Sequence, residues 1–246
     1  MKAIFTGMNG TVAPYVCDEF VSHGIDVIAY DRNKVSTDDS NQIETFLLSV
    51  KPDILIHFAL GSPEWTKILS TLSFKHGIKF VYISTVSVFS NHQFGPHDIY
   101  KIPEPDDDYG RYKKLCEDIV RETNKDAYTI RLGWQIGYNK EQNQMMAFLY
   151  QKMKEDGVIF ASSKWYPSTS FLKDTAKGIY DIVSRLKPDL YHVQSNDTFT
   201  FYDIVKELTK IYPNLIVKES HDFVADNRMV DDRVSIKKLS DIFNKT

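Results

Sequence analysis

Two cysteines in 246 residues, Cys17 and Cys116, supply neither the pairs of a disulfide framework nor the ligand set of a structural metal. Both fall in helix-like segments far apart in sequence, so free thiols in a reducing compartment are expected. No apolar run reaches the roughly 20 residues a membrane helix needs, and the opening MKAIFTG lacks a secretory leader's apolar centre. A cytoplasmic location with no membrane partner is therefore expected. Charge of one sign is not in excess: the net value is −3, which offers nucleic acid no basic field. The seven histidines show no metal-ligand spacing, and no metal is expected. Low-complexity stretches and internal repeats are also absent. At 42% hydrophobic and 26% charged, the composition suits a globular chain with a substantial core.

What is present is an alternation. KAIF, DVIAY, DILIHFAL, KFVYIST and AYTIRLG read as short strands without period-two patterning. Helix-like stretches separate them, with Val12, Val16 and Phe20 on one apolar face and Ile43, Phe46, Leu47 and Val50 on the next. Strands apolar on both sides and separated by helices predict a parallel sheet covered on both faces. Right-handed crossovers make that a doubly wound, Rossmann-type α/β sheet. From about residue 139 the pattern loosens: a helix over 141–156, GVIFA, the loop SSKWYPSTS, a helix from about Lys173, LYHVQ, a helix over 200–212, LIVKES and a last helix near 235–243. This predicts a nucleotide-binding part over 1–138 and a small α/β lobe over 139–246, interleaved with it.

The first strand runs into FTGMNGTVAPYV. Gly7 and Gly10 carry the spacing of a nucleotide-binding turn, where backbone amides approach a pyrophosphate and the helix start favours its charge. Asn9, Gly10, Thr11 and Val12 would line that turn, and Ala13 stands at its third small position. Asp31 ends the second strand 21 residues after Gly10, as a dinucleotide fingerprint requires. Asp31 could bind an adenine ribose and favour NAD, whereas Arg32 could pair with a 2′-phosphate and favour NADP. The cofactor is expected to be NADPH or NADH.

DYGRYKKLCED sets Tyr109 and Lys113 four residues apart at the start of an amphipathic stretch. On a helix that places them on one face, about 6 Å apart at Cβ. An ammonium near a phenol lowers the phenol's pKa and eases proton transfer. Thr85 ends the fourth strand in YISTVSVF, and ligands of open parallel sheets bind at such strand ends. Asp106, Asp107 and Asp108 precede the helix and suit its positive end. His57 lies in a core-like strand and reads as a satisfied buried histidine. Trp165 and Tyr166 could stack on a sugar or base, or simply cover the lobe.

Together these segments resemble the extended short-chain dehydrogenase/reductase superfamily, and within it the dTDP-4-dehydrorhamnose reductase-like branch. TGMNGTVA resembles TGxxGxxG, STVSVF resembles STDYVF, YGRYKKLCED resembles YGxSKxxxE and RLGWQIG resembles RTSWVYG. STSFLKDTAKGI, LYHVQSNDTFTFYDIVKEL and RMVDDRVSIKKL follow the pattern through the lobe. The resemblance implies Thr85, Tyr109 and Lys113 as the catalytic set, with Lys113 also holding the nicotinamide ribose. It implies Ala59, Leu60 and Gly61 beside the cofactor, Trp134 in the sugar pocket with Thr85, and Arg228 near the substrate. Departures are Ala13, Tyr112, Met229 and Ser235, together with a chain shorter than typical members. The implied activity is NAD(P)H-dependent reduction of a nucleotide-linked 4-keto-6-deoxysugar. Alternatives are a sugar-nucleotide epimerase with tightly bound NAD and a non-catalytic dinucleotide-binding regulatory subunit. Monomer and homodimer are both open.

Overall fold

The computed structural model describes residues 1–137 and 144–243; the expected boundary at 138/139 and the start of the helix expected over 141–156 lie outside the described residues. The elements run β1 (Lys2–Thr6), α1 (Ala13–Ser22), β2 (Asp26–Ala29), α2 (Ser40–Val50), β3 (Ile54–His57), α3 (Pro63–Lys75), β4 (Lys79–Thr85) and α4 (Asp108–Thr123). They continue as β5 (Tyr128–Leu132), β6 (Trp134–Ile136), α5 (Met145–Asp156), β7 (Ile159–Ser162), β8 (Trp165–Tyr166) and β9 (Thr169–Phe171). The last are α6 (Leu172–Arg185), β10 (Leu190–Val193), α7 (Phe201–Ile211), β11 (Val217–Ser220), β12 (Ala225–Asp226) and α8 (Leu239–Phe243).

The expected doubly wound sheet is present: six parallel strands in the order β10-β5-β4-β3-β1-β2. The chain reverses direction across the sheet between β1 and β3, which opens a crevice at their carboxyl ends. Only two strands lie on the β1 side, where the six-stranded dinucleotide fold has three. Both sheet faces are buried, which explains the unbroken apolar runs. On one, Ala3, Phe5, Ile54 and Ile56 pack with Val16 and Phe20 of α1 and with Ala176, Ile179 and Val183 of α6. On the other, Ile4, Leu55, Phe80 and Tyr82 pack with Ile43 and Leu47 of α2, Leu69 of α3 and Val120 of α4.

The chain region expected to form the lobe serves both parts. Its α6 covers the large sheet and β10 is that sheet's edge strand, paired with β5 from Leu190↔Thr129 to Val193↔Leu132. The remainder, joined by β6 from the preceding region, builds three two-stranded pairs, β6–β9, β7–β11 and β8–β12. Their core is Met145, Met146 and Leu149 of α5 with Phe201, Ile204 and Leu208 of α7.

One buried ionic network ties the sheet to α4. Arg131 of β5 grips Glu117 with Nε at 2.9 Å and Nη2 at 2.6 Å, and Ser84 Oγ of β4 donates to the same carboxylate at 2.5 Å. Arg131 Nη1 also donates to His192 Nε2 of β10 at 3.3 Å, and His192 Nδ1 donates to the His97 carbonyl at 3.2 Å. Burial, then the adjacent guanidinium, holds His192 down at about 4, so it is neutral at physiological pH.

Candidate active site

The crevice above β1, β3 and β4 is a cleft of about 1110 Å³ that continues against the β6 and β8 region. Its glycine turn follows from backbone geometry. Gly7 has φ +72°, in the left-handed region, and a Cβ there would lie 2.9 Å from the Ala59 nitrogen. Glycine lets β1 turn sharply while the β3 end packs against it. The start of α1 carries no side-chain cap, which leaves its positive end open to an anion. Gly7→Ala is expected to combine about 1–2 kcal/mol of left-handed strain with this clash and to cut dinucleotide affinity at least tenfold, measured by calorimetric titration; unchanged affinity would remove the turn from the site.

Below the turn, Thr6 Oγ1 accepts from the Phe58 and Ala59 amides, both at 3.1 Å, and donates to His57 Nδ1 at 2.8 Å. His57 Nε2 donates to Thr66 Oγ1 at 3.1 Å. With both nitrogens bonded and burial pressing its pKa down to about 3, His57 is a neutral strut under the cleft, as its strand setting suggested.

The cleft collects Gly7, Asn9, Gly10, Thr11, Val12, Arg32, Ala59 and Leu60 at one end and Thr85, Tyr109, Lys113 and Trp134 toward the other. Three expected residues are not in its wall. Asp31 turns into its own loop, accepting from the Asn33 amide at 2.9 Å and pairing with Lys34 at 3.7 Å. Gly61 donates its amide to the Tyr112 hydroxyl at 3.2 Å, so the bulky residue beside Lys113 fastens the β3–α3 loop to α4. Arg228 is locked to Asp226 through Nε at 2.9 Å and Nη2 at 2.6 Å, with its guanidinium 4.7 Å over the Tyr166 ring.

Asp107 caps α4 by accepting from the Gly110 amide at 2.6 Å, which fixes where Tyr109 begins the helix. A Cβ on Gly110 would sit 2.0 Å from the Ser87 carbonyl oxygen, so this glycine lets the helix start press against the β4 end that carries Thr85. Tyr109 is half exposed in the cleft. Burial raises its pKa, interaction with the Thr85 hydroxyl opposes that rise, and the Asp107 carboxylate adds to it. The phenol thus keeps its proton at neutral pH.

Lys113 is arranged differently from the simple Tyr–Lys expectation. It is buried, donates to the Ile83 carbonyl at 2.8 Å and lies 4.9 Å over the Tyr82 ring. Burial lowers it to about 8, so it remains mainly protonated at neutral pH but not far above it. Its charge is turned to the backbone of β4 rather than to the Tyr109 phenol.

Sequence reading missed part of the wall. Ser87, Asn91, Gln135, Phe148, Ser168 and Asn227 all line the cleft. Ser87 Oγ accepts from Thr85 Oγ1 at 3.2 Å, and its position two residues after Thr85 was the one available signal. Trp165, which sequence left between stacking and covering roles, lines the cleft, with its indole stacked on Trp134 at 6.1 Å.

The model of the RmlD substrate binding domain matches residues 64–219, more than half of the chain. The chain belongs to this family. It is 24% identical over 222 residues to the spore coat polysaccharide biosynthesis protein SpsK of Bacillus subtilis, covering 82% of this chain and 76% of that protein. A dTDP-4-dehydrorhamnose reductase from Bacillus anthracis, solved in complex with NADP, superposes with a TM-score of 0.82 at 18% identity over 99% of this chain and 97% of its own. WbmH of Bordetella bronchiseptica, solved with NAD+, gives 0.77 at 16% identity over 98% and 95%. At these identities the structural likenesses establish the shared fold of this RmlD-family chain.

Proposed function

We propose that the chain is an NAD(P)H-dependent reductase of a nucleotide-linked 4-keto-6-deoxysugar. The observation that carries this reading is one cleft holding a glycine turn at one end and Thr85, Tyr109 and Lys113 beyond it. The turn fits a dinucleotide: Gly7 lets the chain turn tightly against Ala59 where a Cβ would clash, and the uncapped α1 start lines the same cleft. Two of the relatives named as dTDP-4-dehydrorhamnose reductases, one of them solved with NADP, support this substrate class and a dinucleotide cofactor.

A bound reduced nicotinamide would supply hydride to the sugar carbonyl carbon. The residues of the chain would do the rest. Tyr109, protonated at neutral pH, donates its proton to the carbonyl oxygen as negative charge develops there. Thr85 donates a hydrogen bond to that oxygen, and Ser87 receives it in the free cleft. Lys113 holds the nicotinamide ribose, and Trp134 covers the sugar. Arg32 and Lys113 are the Lys or Arg side chains lining the cleft among the described residues. Arg32 lies by the turn while Asp31 is engaged elsewhere, which favours NADPH over NADH.

The deciding experiment is parallel calorimetric titration with NADPH and NADH, followed by a panel of nucleotide-linked 4-keto-6-deoxysugars with reduced-cofactor absorbance as readout. Tighter NADPH binding with oxidation on one sugar is the expected result. Binding without oxidation on any sugar would reject the reductase in favour of a dinucleotide-binding regulator. Cofactor that co-purifies and does not exchange would favour an epimerase.

A further inference from the structure

The lobe side of the cleft contains a hydrogen-bonded row in which donors and acceptors are fixed by elimination. Indole Nε1 of Trp165 can only donate, and it does so to Asn227 Oδ1 at 2.6 Å. That orients the Asn227 amide, so its Nδ2 is the donor to Asn91 Oδ1 at 3.2 Å. The Asn91 amide is oriented in turn: its oxygen is used, and its Nδ2 has no protein partner among the described residues. The Asn91 backbone amide donates to Asp106 Oδ2 at 2.8 Å, leaving Asp106 Oδ1 without a partner among them. Asn91, Asp106, Trp165 and Asn227 all line the cleft, and Asp106 stands three residues before Tyr109.

The segment presenting Asn227 is held rigidly. Asp226 and Arg228 pair with each other on the side away from the cleft, and Arg228 Nη1 donates to the Asp197 carbonyl at 2.5 Å. Their two carbonyls accept from Gly95 and His97, each at 2.7 Å, and the Asn227 amide donates to the Tyr166 carbonyl at 2.9 Å. Backbone alternation then sends the residue between them the other way, into the cleft. A Cβ on Gly95 would meet both carbonyl oxygens at 2.8 Å, so this seam closes only around glycine.

We infer that the Asn91–Asp106 pair reads a hydroxyl of the sugar, with the Asn91 amide donating to it and the Asp106 carboxylate accepting from it. A hydroxyl both accepts and donates, which matches an unused amide donor beside an unused carboxylate oxygen. A methyl or deoxy position satisfies neither and would leave both groups desolvated without partners. The inference rests on the sugar-nucleotide reading.

The test is calorimetric titration of wild-type protein, Asn91→Ala and Asn91→Asp with dTDP-rhamnose, the product expected of the proposed reduction, with dTDP alone and NADPH as references. Asn91 is exposed, so truncation spares the core, and Asn91→Asp keeps the acceptor that Asn227 uses. Expected is weakening of dTDP-rhamnose of about tenfold in both variants, with dTDP and NADPH unchanged in Asn91→Ala. Equal affinity of wild type and Asn91→Ala for dTDP-rhamnose would overturn the inference, as would parallel loss of dTDP. Wild-type protein that binds NADPH but not dTDP-rhamnose would overturn it too. Wild-type protein that binds dTDP-rhamnose, weakens as expected on substitution and yet reduces no keto-sugar would refute the reductase while leaving the hydroxyl reader intact.

Discussion

Tyr109→Phe is expected to lower kcat for keto-sugar reduction by about 10²–10⁴ while leaving NADPH affinity within threefold. The substitution removes one hydroxyl from a half-exposed ring at the start of α4, where the Asp107 cap and the Gly110 contact are untouched. Fold and cofactor site should therefore survive, and the loss should appear in the chemical step. Burial holds the phenol above its ordinary pKa, so Tyr109 is in its acid form at neutral pH, and among the described residues no other tyrosine lines the cleft. Stopped-flow oxidation of NADPH with saturating sugar separates chemistry from binding. A variant with full turnover would remove Tyr109 from the mechanism and transfer the proton donor's role to another group.

The largest effect on stability is expected at Arg131. Arg131→Met leaves the Glu117 carboxyl group buried with only Ser84 bonded to it, and it strips His192 Nε2 of its donor. Removing one partner of such a pair costs about 3–5 kcal/mol. The double variant Arg131→Met with Glu117→Leu removes both charges and should recover most of that loss, although Ser84 Oγ then loses its acceptor and His192 Nε2 its donor. Urea unfolding of the three proteins measures it. Similar destabilisation in the single and double variants would show that methionine packing, not the stranded carboxylate, sets the cost. The network also lies one helical turn after Lys113 on α4, so the single variant is expected to disturb the site as well as the fold.

Much of this architecture is legible in the sequence because its physics is local. A strand buried on both faces has to be apolar without alternation, and KAIF, DILIHFAL and KFVYIST are. Gly7 was recognisable because a sharp turn from strand to helix demands a residue without Cβ. The placing of LYHVQ was not legible: a short apolar strand carries no record of its partner, and β10 joins β5 across nearly sixty residues of sequence. Asp31 and Arg32 are adjacent, and their division of labour depends on Asp31 meeting the Asn33 amide, a turn detail that composition does not carry. Arg228 matched the tail motif in type and place, yet Asp226 two residues earlier satisfies it. Asn227, the residue facing the cleft, has no motif at all; only the seam with Gly95 and His97 fixes its direction.

The edge position of β10 also constrains how the protein is made. On the ribosome, β1 to β5 are complete once Leu132 has emerged, but the strand that closes their open side ends only at Val193. Until then the nascent chain carries β5 as an open edge strand and an apolar sheet face that α6 has not yet covered. Synthesis at about 5–20 residues per second makes that interval several seconds. A strand pairing this distant raises contact order and slows folding. Chaperone dependence during translation should therefore be concentrated between these two points, and a fragment ending after β5 should aggregate where the full chain does not.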